Sequence, residues 1–232
     1  ILIADKMDKV AVDIFTARGI TADVKTGLTP SDLAAIIGDY DGVAVRSTTK
    51  ITADVLANPG KLRVIGRAGI GVDTVDVPSA TRAGIVVMNT PFGNSVTTAE
   101  HTIAMMMSLA RQIPMANAST HMGKWEKSAF MGVELMGKIL GVIGCGNIGA
   151  IVASRALGLQ MRVMAYDPYL TDERAVALGV VRATLNEVYA AADFITIHTP
   201  MTDQTRGLVN GAAFAKMKKG VRIINCARGG LV

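Results

Sequence analysis

The sequence predicts an α/β protein made of two doubly wound parallel sheets. Short apolar runs alternate with helical segments along most of the chain, which is typical of parallel strands joined by crossover helices. This alternation breaks at 89–94 (NTPFGN), where Pro91 and Gly93 favour a hinge or boundary. We therefore expect one domain over residues 1–90 and a second over residues 91–232.

The first half has the composition of five strands and four helices. Pro30 and Ser31 begin one of the helices, and right-handed crossovers are the expected connections. The predicted strands are 1–4, 20–24, 42–45, 62–65 and 85–88. The predicted helices are 9–18, 30–37, 52–57 and 73–83, the last of which we expect to be helical mostly after Pro78.

The second half begins with a long helical stretch, 96–120, which we expect to be interrupted near Pro114. Its Met105–Met107 triplet favours packing in a core or between subunits. The segment 123–137 is irregular and holds the single tryptophan, Trp125. The predicted strands are 138–143, 161–166, a short one near Val180, 194–197 and 221–225. Since a full dinucleotide-binding sheet has about six parallel strands, five strands predict a domain that is incomplete at the C-terminus.

The strand 138–143 leads into three glycines in G-x-G-x-x-G spacing, Gly144, Gly146 and Gly149, followed by a helical segment over 148–157. The first glycine makes a tight turn, the second lets a pyrophosphate approach the backbone, and the third lets the helix pack on the strand. The free N–H groups of the helix N-terminus would then bind the phosphates.

An acid, Asp167, ends the next strand, where a ribose-binding carboxylate is expected. It would accept hydrogen bonds from ribose hydroxyls and repel a 2′-phosphate, which favours NAD over NADP. A glycine-rich turn alone could be structural. Here strand, glycines, helix, strand and acid are all in register, and we favour dinucleotide binding.

Composition excludes several classes of function. The net charge is +5, but the basic residues are scattered and aromatic residues are sparse, which argues against nucleic-acid binding and suits an anionic substrate. No apolar run is long enough to cross a membrane. Cys145 and Cys226 have no metal or redox spacing, so we expect two buried cysteines in a reducing cytoplasm and no metal.

Four loops at the carboxyl ends of strands are candidates for chemistry: 46–48, 67–71, 198–200 and 226–230. Arg228 offers a rigid fork for a carboxylate or ketone oxygen, or is a surface arginine in a turn. Arg46 could bind a phosphate or carboxylate, or form a salt bridge. The loop 69–71 could place N–H groups near an anion, or be a tight turn.

The three histidines do not supply an evident proton donor for ketone reduction. His101 and His121 lie in the long helical stretch and fit surface or interface positions. His198, at a strand end, could be catalytic, but we favour a backbone that borders the adenine side of the cofactor. No proton-transfer group is assigned from the residues alone.

Several segments together are similar to the D-2-hydroxyacid dehydrogenase family, and the similarity runs over the whole chain. The most specific are VRSTTKITADVL, VIGRAGIGVDTVD, VVMNTPFGNSVTTAEH, GVIGCGNIG and VRIINCARGGLV. The resemblance implies a flavodoxin-like substrate domain, a Rossmann NAD-binding domain and Arg228 as the catalytic arginine. The residues implied to bind NAD are Gly144, Gly146, Asn147, Ile148, Gly149, Asp167, Pro168, His198, Thr199, Pro200, Cys226 and Ala227, and those implied to meet the substrate are Arg46, Ser47, Gly69, Ile70 and Asn94.

The resemblance also implies an activity, the NAD-dependent oxidation of 3-phosphoglycerate to 3-phosphohydroxypyruvate that opens serine biosynthesis, in a cytoplasmic homodimer or homotetramer. The alternatives are a glyoxylate or hydroxypyruvate reductase, or a non-catalytic NAD-sensing protein of the corepressor type. The family's catalytic Glu and its paired His lie after the N-C-A-R-G-G segment, and the sequence stops before either. Thr74 also stands where the family often has asparagine.

Overall fold

The computed structural model describes all 232 residues as two compact units, Ile1–Asn94 and Ser95–Val232. Each unit contains one five-stranded sheet in which every strand pair is parallel. Helices connect the strands, as the alternating sequence pattern predicts. The predicted fold class, two doubly wound parallel-sheet domains, is confirmed.

The first unit has the strand order β2-β1-β3-β4-β5, so the direction of winding reverses between β1 and β3. Its core is formed by aliphatic side chains such as Leu2, Ile37 and Ile65. The strands are β1 (Leu2–Ile3), β2 (Asp23–Val24), β3 (Gly42–Val45), β4 (Val64–Arg67) and β5 (Val86–Asn89), and the helices are α1 (Lys9–Ala17), α2 (Pro30–Ile36) and α3 (Val77–Arg82).

One predicted helix of the first unit, 52–57, is wrong. Residues 52–57 form turns with a single helical hydrogen bond, from the Leu56 N–H to the Thr52 carbonyl oxygen, because Pro59 follows closely and disfavours further helix. The segment 73–83, predicted to be helical mostly after Pro78, forms a helix from Val77, where the Asp76 carboxylate accepts the Ser79 N–H and caps it.

The second unit has the strand order β10-β9-β6-β7-β8, which reverses between β6 and β9. Leu140 and Val142 of β6 pack in one apolar cluster, whereas Ile143 packs in another, so both faces of the sheet are covered. The strands are β6 (Ile139–Ile143), β7 (Arg162–Tyr166), β8 (Val181–Arg182), β9 (Phe194–Ile197) and β10 (Arg222–Asn225), and the helices are α4 (Ser95–Arg111), α5 (Ile113–His121), α6 (Asn147–Gly158), α7 (Asp172–Leu178), α8 (Leu185–Ala191) and α9 (Gly211–Phe214).

The long helical stretch is divided in two at Gln112, whose φ of 55° is left-handed. This break lies two residues before Pro114, which fits the first turn of α5 because its missing N–H is not needed there. Of the methionine triplet, Met106 is buried, whereas Met105 and Met107 are exposed. No helix in the structure combines the length and apolar character needed to cross a membrane.

Candidate functional site

The candidate nucleotide site lies at the carboxyl ends of β6 and β9, the adjacent strands at which the second sheet reverses its winding. Ligands of doubly wound sheets bind in the crevice outside such a reversal. The glycine turn follows β6, and the loop 198–200 follows β9. The fold therefore brings together two segments that are about fifty residues apart in the sequence.

The three glycines of the turn have three different environments. Gly144 has a φ of +90°, and a Cβ there would lie 2.8 Å from the His198 carbonyl carbon. A Cβ on Gly146 would meet nothing within 4 Å. A Cβ on Gly149 would lie 2.0 Å from the Gly144 oxygen, so the helix packs against the turn more closely than a side chain allows. The turn is tight and closely packed at both ends and open in the middle.

The N-terminus of α6 has no side-chain cap, since Gly146 occupies the capping position. Helices α2, α7 and α8 in contrast are capped by threonine hydroxyls, at Thr29, Thr171 and Thr184. The first N–H groups of α6 therefore keep their capacity to donate, and the helix dipole adds a positive potential at the same point. This arrangement favours an anion such as a phosphate.

The carboxylate of Asp167 is tied to the glycine turn. Its Oδ2 accepts the Cys145 N–H at 2.8 Å, and its Oδ1 accepts the Tyr169 N–H at 2.8 Å. Each oxygen of an ionised carboxylate can accept about two hydrogen bonds, so each keeps one site for a ligand hydroxyl. Burial raises the pKa of the neighbouring Cys145 thiol, and the Asp167 charge adds to that rise.

The loop after β9 packs its backbone on the glycine turn, because a Cβ on Gly144 would lie 2.9 Å from the Thr199 nitrogen. The His198 ring points to Thr196, whose Oγ1 lies 2.9 Å from Nε2. Burial lowers the pKa of His198 to about 4, so its ring is neutral at pH 7. The side-chain atoms His198 Nδ1 and Thr199 Oγ1 are buried without hydrogen-bond partners.

The loop after β10 is held by Asn225. Its side chain donates to the Arg228 carbonyl oxygen at 2.8 Å and accepts the Ala227 N–H at 3.1 Å. The Arg228 guanidinium donates to the Ala227 carbonyl oxygen at 2.9 Å. Cys145 is buried as expected, but Cys226 is only partly buried because it lies in this loop beyond the last strand residue.

In the first unit the loop after β3 is anchored by a carboxylate that the sequence analysis did not identify. Asp5 is 4% exposed and accepts hydrogen bonds from the Arg46 N–H, the Thr49 N–H and the Thr49 hydroxyl. The Arg46 guanidinium donates to the Lys6 carbonyl oxygen at 3.3 Å and is exposed, as is the adjacent Ser47. No salt bridge to Arg46 is present.

In the loop after β4, the backbone of Gly69 and Ile70 takes part in hydrogen bonds within the first unit. The Gly69 N–H donates to the Arg67 carbonyl oxygen at 2.9 Å, and the Ile70 carbonyl oxygen accepts from the Asn89 side chain at 2.7 Å. Of the two interpretations of this loop, the tight turn describes the Gly69 N–H better. Asn94 is the last residue of the first unit and is exposed.

The structure thus assembles Gly144, Gly146, Gly149, Asp167 and the 198–199 backbone at one sheet edge. Pro168 and Pro200 lie in the adjoining loops and are exposed. Asn147 begins α6 and is exposed, and Ile148 is partly buried against the apolar core. Residues that sequence reasoning missed are Asp5, Thr196 and Asn225, each made relevant by a contact formed on folding. No group of three or more His, Cys, Asp or Glu side chains is placed to hold a metal.

Residues 103–232 match the D-isomer specific 2-hydroxyacid dehydrogenase NAD binding domain. The chain is 47% identical to D-3-phosphoglycerate dehydrogenase from Synechocystis and 49% identical to the human protein of that name, over all 232 residues. These alignments cover 42% and 44% of the two relatives. The chain therefore spans less than half the length of these curated relatives.

Solved structures of similar proteins have the same fold over the whole chain. The TT0316 protein from Thermus thermophilus has a TM-score of 0.88 at 32% identity, with 74% of that chain covered. A D-lactate dehydrogenase from Aquifex aeolicus, complexed with NAD and lactic acid, has a TM-score of 0.89 at 26% identity, with 70% covered. The chain belongs to the D-isomer specific 2-hydroxyacid dehydrogenase family, and its second unit carries the family's NAD-binding domain.

Proposed function

We propose that this chain provides the cofactor- and substrate-binding parts of a cytoplasmic dehydrogenase that oxidises 3-phosphoglycerate to 3-phosphohydroxypyruvate with NAD, the first step of serine biosynthesis. The observation that carries the proposal is the open, uncapped glycine turn beside Asp167 in a chain about half identical to proteins named D-3-phosphoglycerate dehydrogenase. Two free cysteines suit a reducing compartment.

The residues of the second unit fit NAD. The uncapped N–H groups of Asn147 and Ile148 would bind the diphosphate over the open Gly146, and Asp167 would accept the ribose hydroxyls. The buried and unpartnered Thr199 hydroxyl supports a ligand beside the 198–200 loop. When bound, NAD supplies the hydride acceptor of the reaction. Pro168, Pro200, Cys226 and Ala227 complete the proposed cofactor contacts.

Arg228 is the proposed catalytic residue. Its planar guanidinium would orient the substrate carboxylate with two parallel hydrogen bonds and polarise the carbon–oxygen bond that reacts. The Asn225 side chain, which holds both sides of this loop, would keep the arginine in place. The proposed substrate contacts of the first unit are Arg46, Ser47, Gly69, Ile70 and Asn94.

His198 is a poor candidate for proton transfer. Its ring is hydrogen-bonded to the buried Thr196, and its pKa of about 4 leaves it without a proton to give at neutral pH. The packing of its backbone on Gly144 supports the alternative expectation, a structural border of the nucleotide turn. We propose that the acid–base group is supplied by another residue.

The cofactor part of the proposal is tested by fluorescence titration with NADH and NADPH. The chain should bind NADH more tightly than NADPH by about 10-fold or more, because the Asp167 carboxylate repels a 2′-phosphate. Asp167→Asn should narrow this ratio, whereas Asp172→Asn, an exposed acid of the next helix, should leave it unchanged. Equal affinity for both cofactors in the unaltered chain would refute the role of Asp167.

The substrate is tested in the full-length protein with NADH and a panel of 2-keto acids. A second candidate is a dehydrogenase for an unphosphorylated acid, because similar solved structures include D-lactate dehydrogenases. We expect 3-phosphohydroxypyruvate to be the preferred substrate. We expect Arg46→Ala to weaken the binding of phosphorylated substrates more than that of unphosphorylated ones. A preference for pyruvate or glyoxylate would support the second candidate, and NADH binding without turnover would support a sensing protein.

A homodimer or larger oligomer is also proposed. Helices α4 and α5 expose large apolar side chains, among them Leu109, Ile113 and Met115, and Trp125 is 84% exposed. Exposed groups of large apolar side chains mark surfaces at which proteins associate. Light scattering after size exclusion should give at least twice the monomer mass, and Trp125→Lys with Met115→Lys should give the monomer.

A further inference from the structure

Arg174 is an exposed cation whose side chain has no partner. It is the third residue of α7, and only its backbone N–H is engaged, by the Thr171 hydroxyl at 3.2 Å. The two salt bridges of the structure do not include it. Arg182 of the neighbouring strand β8 is in contrast paired with Asp172 at 3.0 Å. The Arg174 guanidinium therefore keeps all its donors for a ligand.

The fold places the first turn of α7 beside the proposed ribose-binding acid. Asp167 directly follows β7, and its carbonyl oxygen accepts the Leu170 N–H at 3.1 Å, which closes a turn immediately before the helix. The residue after Arg174, Ala175, is buried in the same apolar cluster as Cys145 of the glycine turn. The first turn of α7 thus lies at the same sheet edge as the nucleotide turn.

The Cys145 thiol lies within reach of both charges. Burial raises the pKa of this thiol, the Asp167 carboxylate adds to the rise, and the Arg174 guanidinium opposes it. Because the interaction between charges weakens with distance, both groups act on the same small region. Together with the position of α7, this puts a carboxylate and a guanidinium at one end of the nucleotide turn.

The two charges have opposite effects on a phosphate. NADP differs from NAD by a phosphate on the 2′ oxygen of the adenosine ribose, which an acid at this edge repels and a nearby arginine accommodates. The planar guanidinium also fits a phosphate with two parallel hydrogen bonds. A site that holds both groups should therefore discriminate less strongly between the two cofactors than a site with the acid alone.

We propose that Arg174 is a specificity-determining residue of the cofactor site, which contacts the 2′-phosphate of NADP and so limits the preference of the protein for NAD. The inference rests on the proposed role of Asp167 in binding the ribose. With NAD, the ribose presents hydroxyls to Asp167, and Arg174 has little influence. With NADP, the guanidinium offsets part of the repulsion by Asp167, so that binding is weakened but not lost.

The test is a fluorescence titration of the full-length protein with NADH and NADPH. In Arg174→Met the affinity for NADPH should fall about 3- to 10-fold, the range of an exposed charge-assisted contact, and that for NADH by less than about 2-fold. Arg174→Lys, which keeps the charge, should lose less NADPH affinity than Arg174→Met. Arg155→Met removes an exposed cation from the last turn of α6, far from this sheet edge, and should change neither affinity by more than about 2-fold.

A second pair of variants removes the acid. In Asp167→Asn the repulsion is gone and Arg174 acts unopposed, so NADPH affinity should rise. Adding Arg174→Met to this variant should lower NADPH affinity by about 3- to 10-fold again and leave NADH affinity unchanged.

The outcomes separate this inference from the role of Asp167. If the unaltered protein binds both cofactors equally and Asp167→Asn does not alter the ratio, the proposed role of Asp167 fails. If the unaltered protein prefers NADH and Arg174→Met lowers both affinities equally, or neither, only the inference about Arg174 is overturned. It is also overturned if the unaltered protein binds no NADPH, or if Arg155→Met loses as much NADPH affinity as Arg174→Met.

Discussion

The two sheets reverse their winding at equivalent places, next to the first strand of each unit, but the residues that follow this strand differ. After β1 the chain puts a carboxylate, Asp5, into the edge, where it accepts three hydrogen bonds from the neighbouring loop. After β6 it puts Gly144 and Gly146, which leave the edge open. The same topology thus gives a turn braced by a buried carboxylate in one unit and a turn left free of side chains in the other.

The helix that follows the first strand of each unit shows the same difference. The N-terminus of α1 is capped by the Asp8 carboxylate, which accepts the Val10 N–H at 2.9 Å. The N-terminus of α6 has no side-chain cap. An anionic cap consumes the donors and the positive potential that an anion would use. What decides whether such a helix can hold a phosphate is therefore the residue at the capping position.

The largest effect is expected from a substitution that forces the glycine turn and helix α6 apart. Gly149→Ala places a methyl group against the Gly144 oxygen, so the free energy of unfolding should fall by about 3 kcal/mol and NADH affinity by about 100-fold. Gly158→Ala, at the other end of the same helix, meets nothing within 4 Å and should change neither by much. Urea unfolding measures the stability and NADH titration measures the affinity. A Gly149→Ala variant with unchanged stability and unchanged NADH affinity would contradict the close packing of the helix on the turn.

The next effect concerns the carboxylate of the first unit. Asp5→Ala removes the acceptor of three hydrogen bonds and leaves the Arg46 and Thr49 N–H groups without it, so the free energy of unfolding should fall by about 2–3 kcal/mol. NADH affinity should not change, because Asp5 belongs to the unit without the nucleotide turn. A stability loss below about 0.5 kcal/mol would show that the carboxylate does not hold the loop.

The two units should differ in how their stability depends on pH. All three histidines lie in the second unit, and the difference is expected from His198. The folded pKa of about 4 lies below the ordinary 6.5, so the unfolded chain binds the proton first as pH falls. The stabilising contribution is complete above pH 6.5 and is lost between pH 6.5 and 4. From pH 7 to 5 the unaltered chain should lose about 2 kcal/mol more stability than His198→Gln. Equal pH dependence of the two proteins would contradict the neutral buried ring.

The smallest effect separates binding from stability. Gly146→Ser gives α6 a cap of the kind that other helices have, in a backbone conformation open to any residue. Stability should stay or rise by about 0.5 kcal/mol, while NADH affinity falls about 10-fold because the hydroxyl takes a donor. Thr184→Ala in α8 removes such a cap, so the free energy of unfolding should fall by about 1 kcal/mol while NADH affinity stays the same. Unchanged NADH affinity in Gly146→Ser would exclude a phosphate at this turn.

Local patterns predicted much of the fold and the part of the site that depends on them. The strands 42–45 and 194–197 have the predicted bounds, because buried parallel strands are continuous apolar runs. The glycine turn and Asp167 are adjacent in the structure because strand, turn and helix follow directly in the sequence. The segment 52–57, predicted as a helix, forms turns because one turn of favourable residues cannot offset the cost of helix nucleation.

Contacts between distant segments account for what could not be predicted. Asp5 has its role only because β1 and β3 become neighbours, forty residues apart. Thr196 lies between two isoleucines of β9, and the sequence gives no sign that it has a special role. Its contact with the His198 ring is seen only in the folded structure. The pairing of such residues is set by topology.

The hydrogen bond from the Cys145 N–H to Asp167 has a consequence for association. It joins the ends of two neighbouring strands and fixes the turn before any dinucleotide arrives. A preorganised loop loses little conformational entropy when its ligand docks, so more of the interaction energy remains as affinity. The acid proposed to bind the ribose therefore also braces the glycine turn in the shape that a dinucleotide would require.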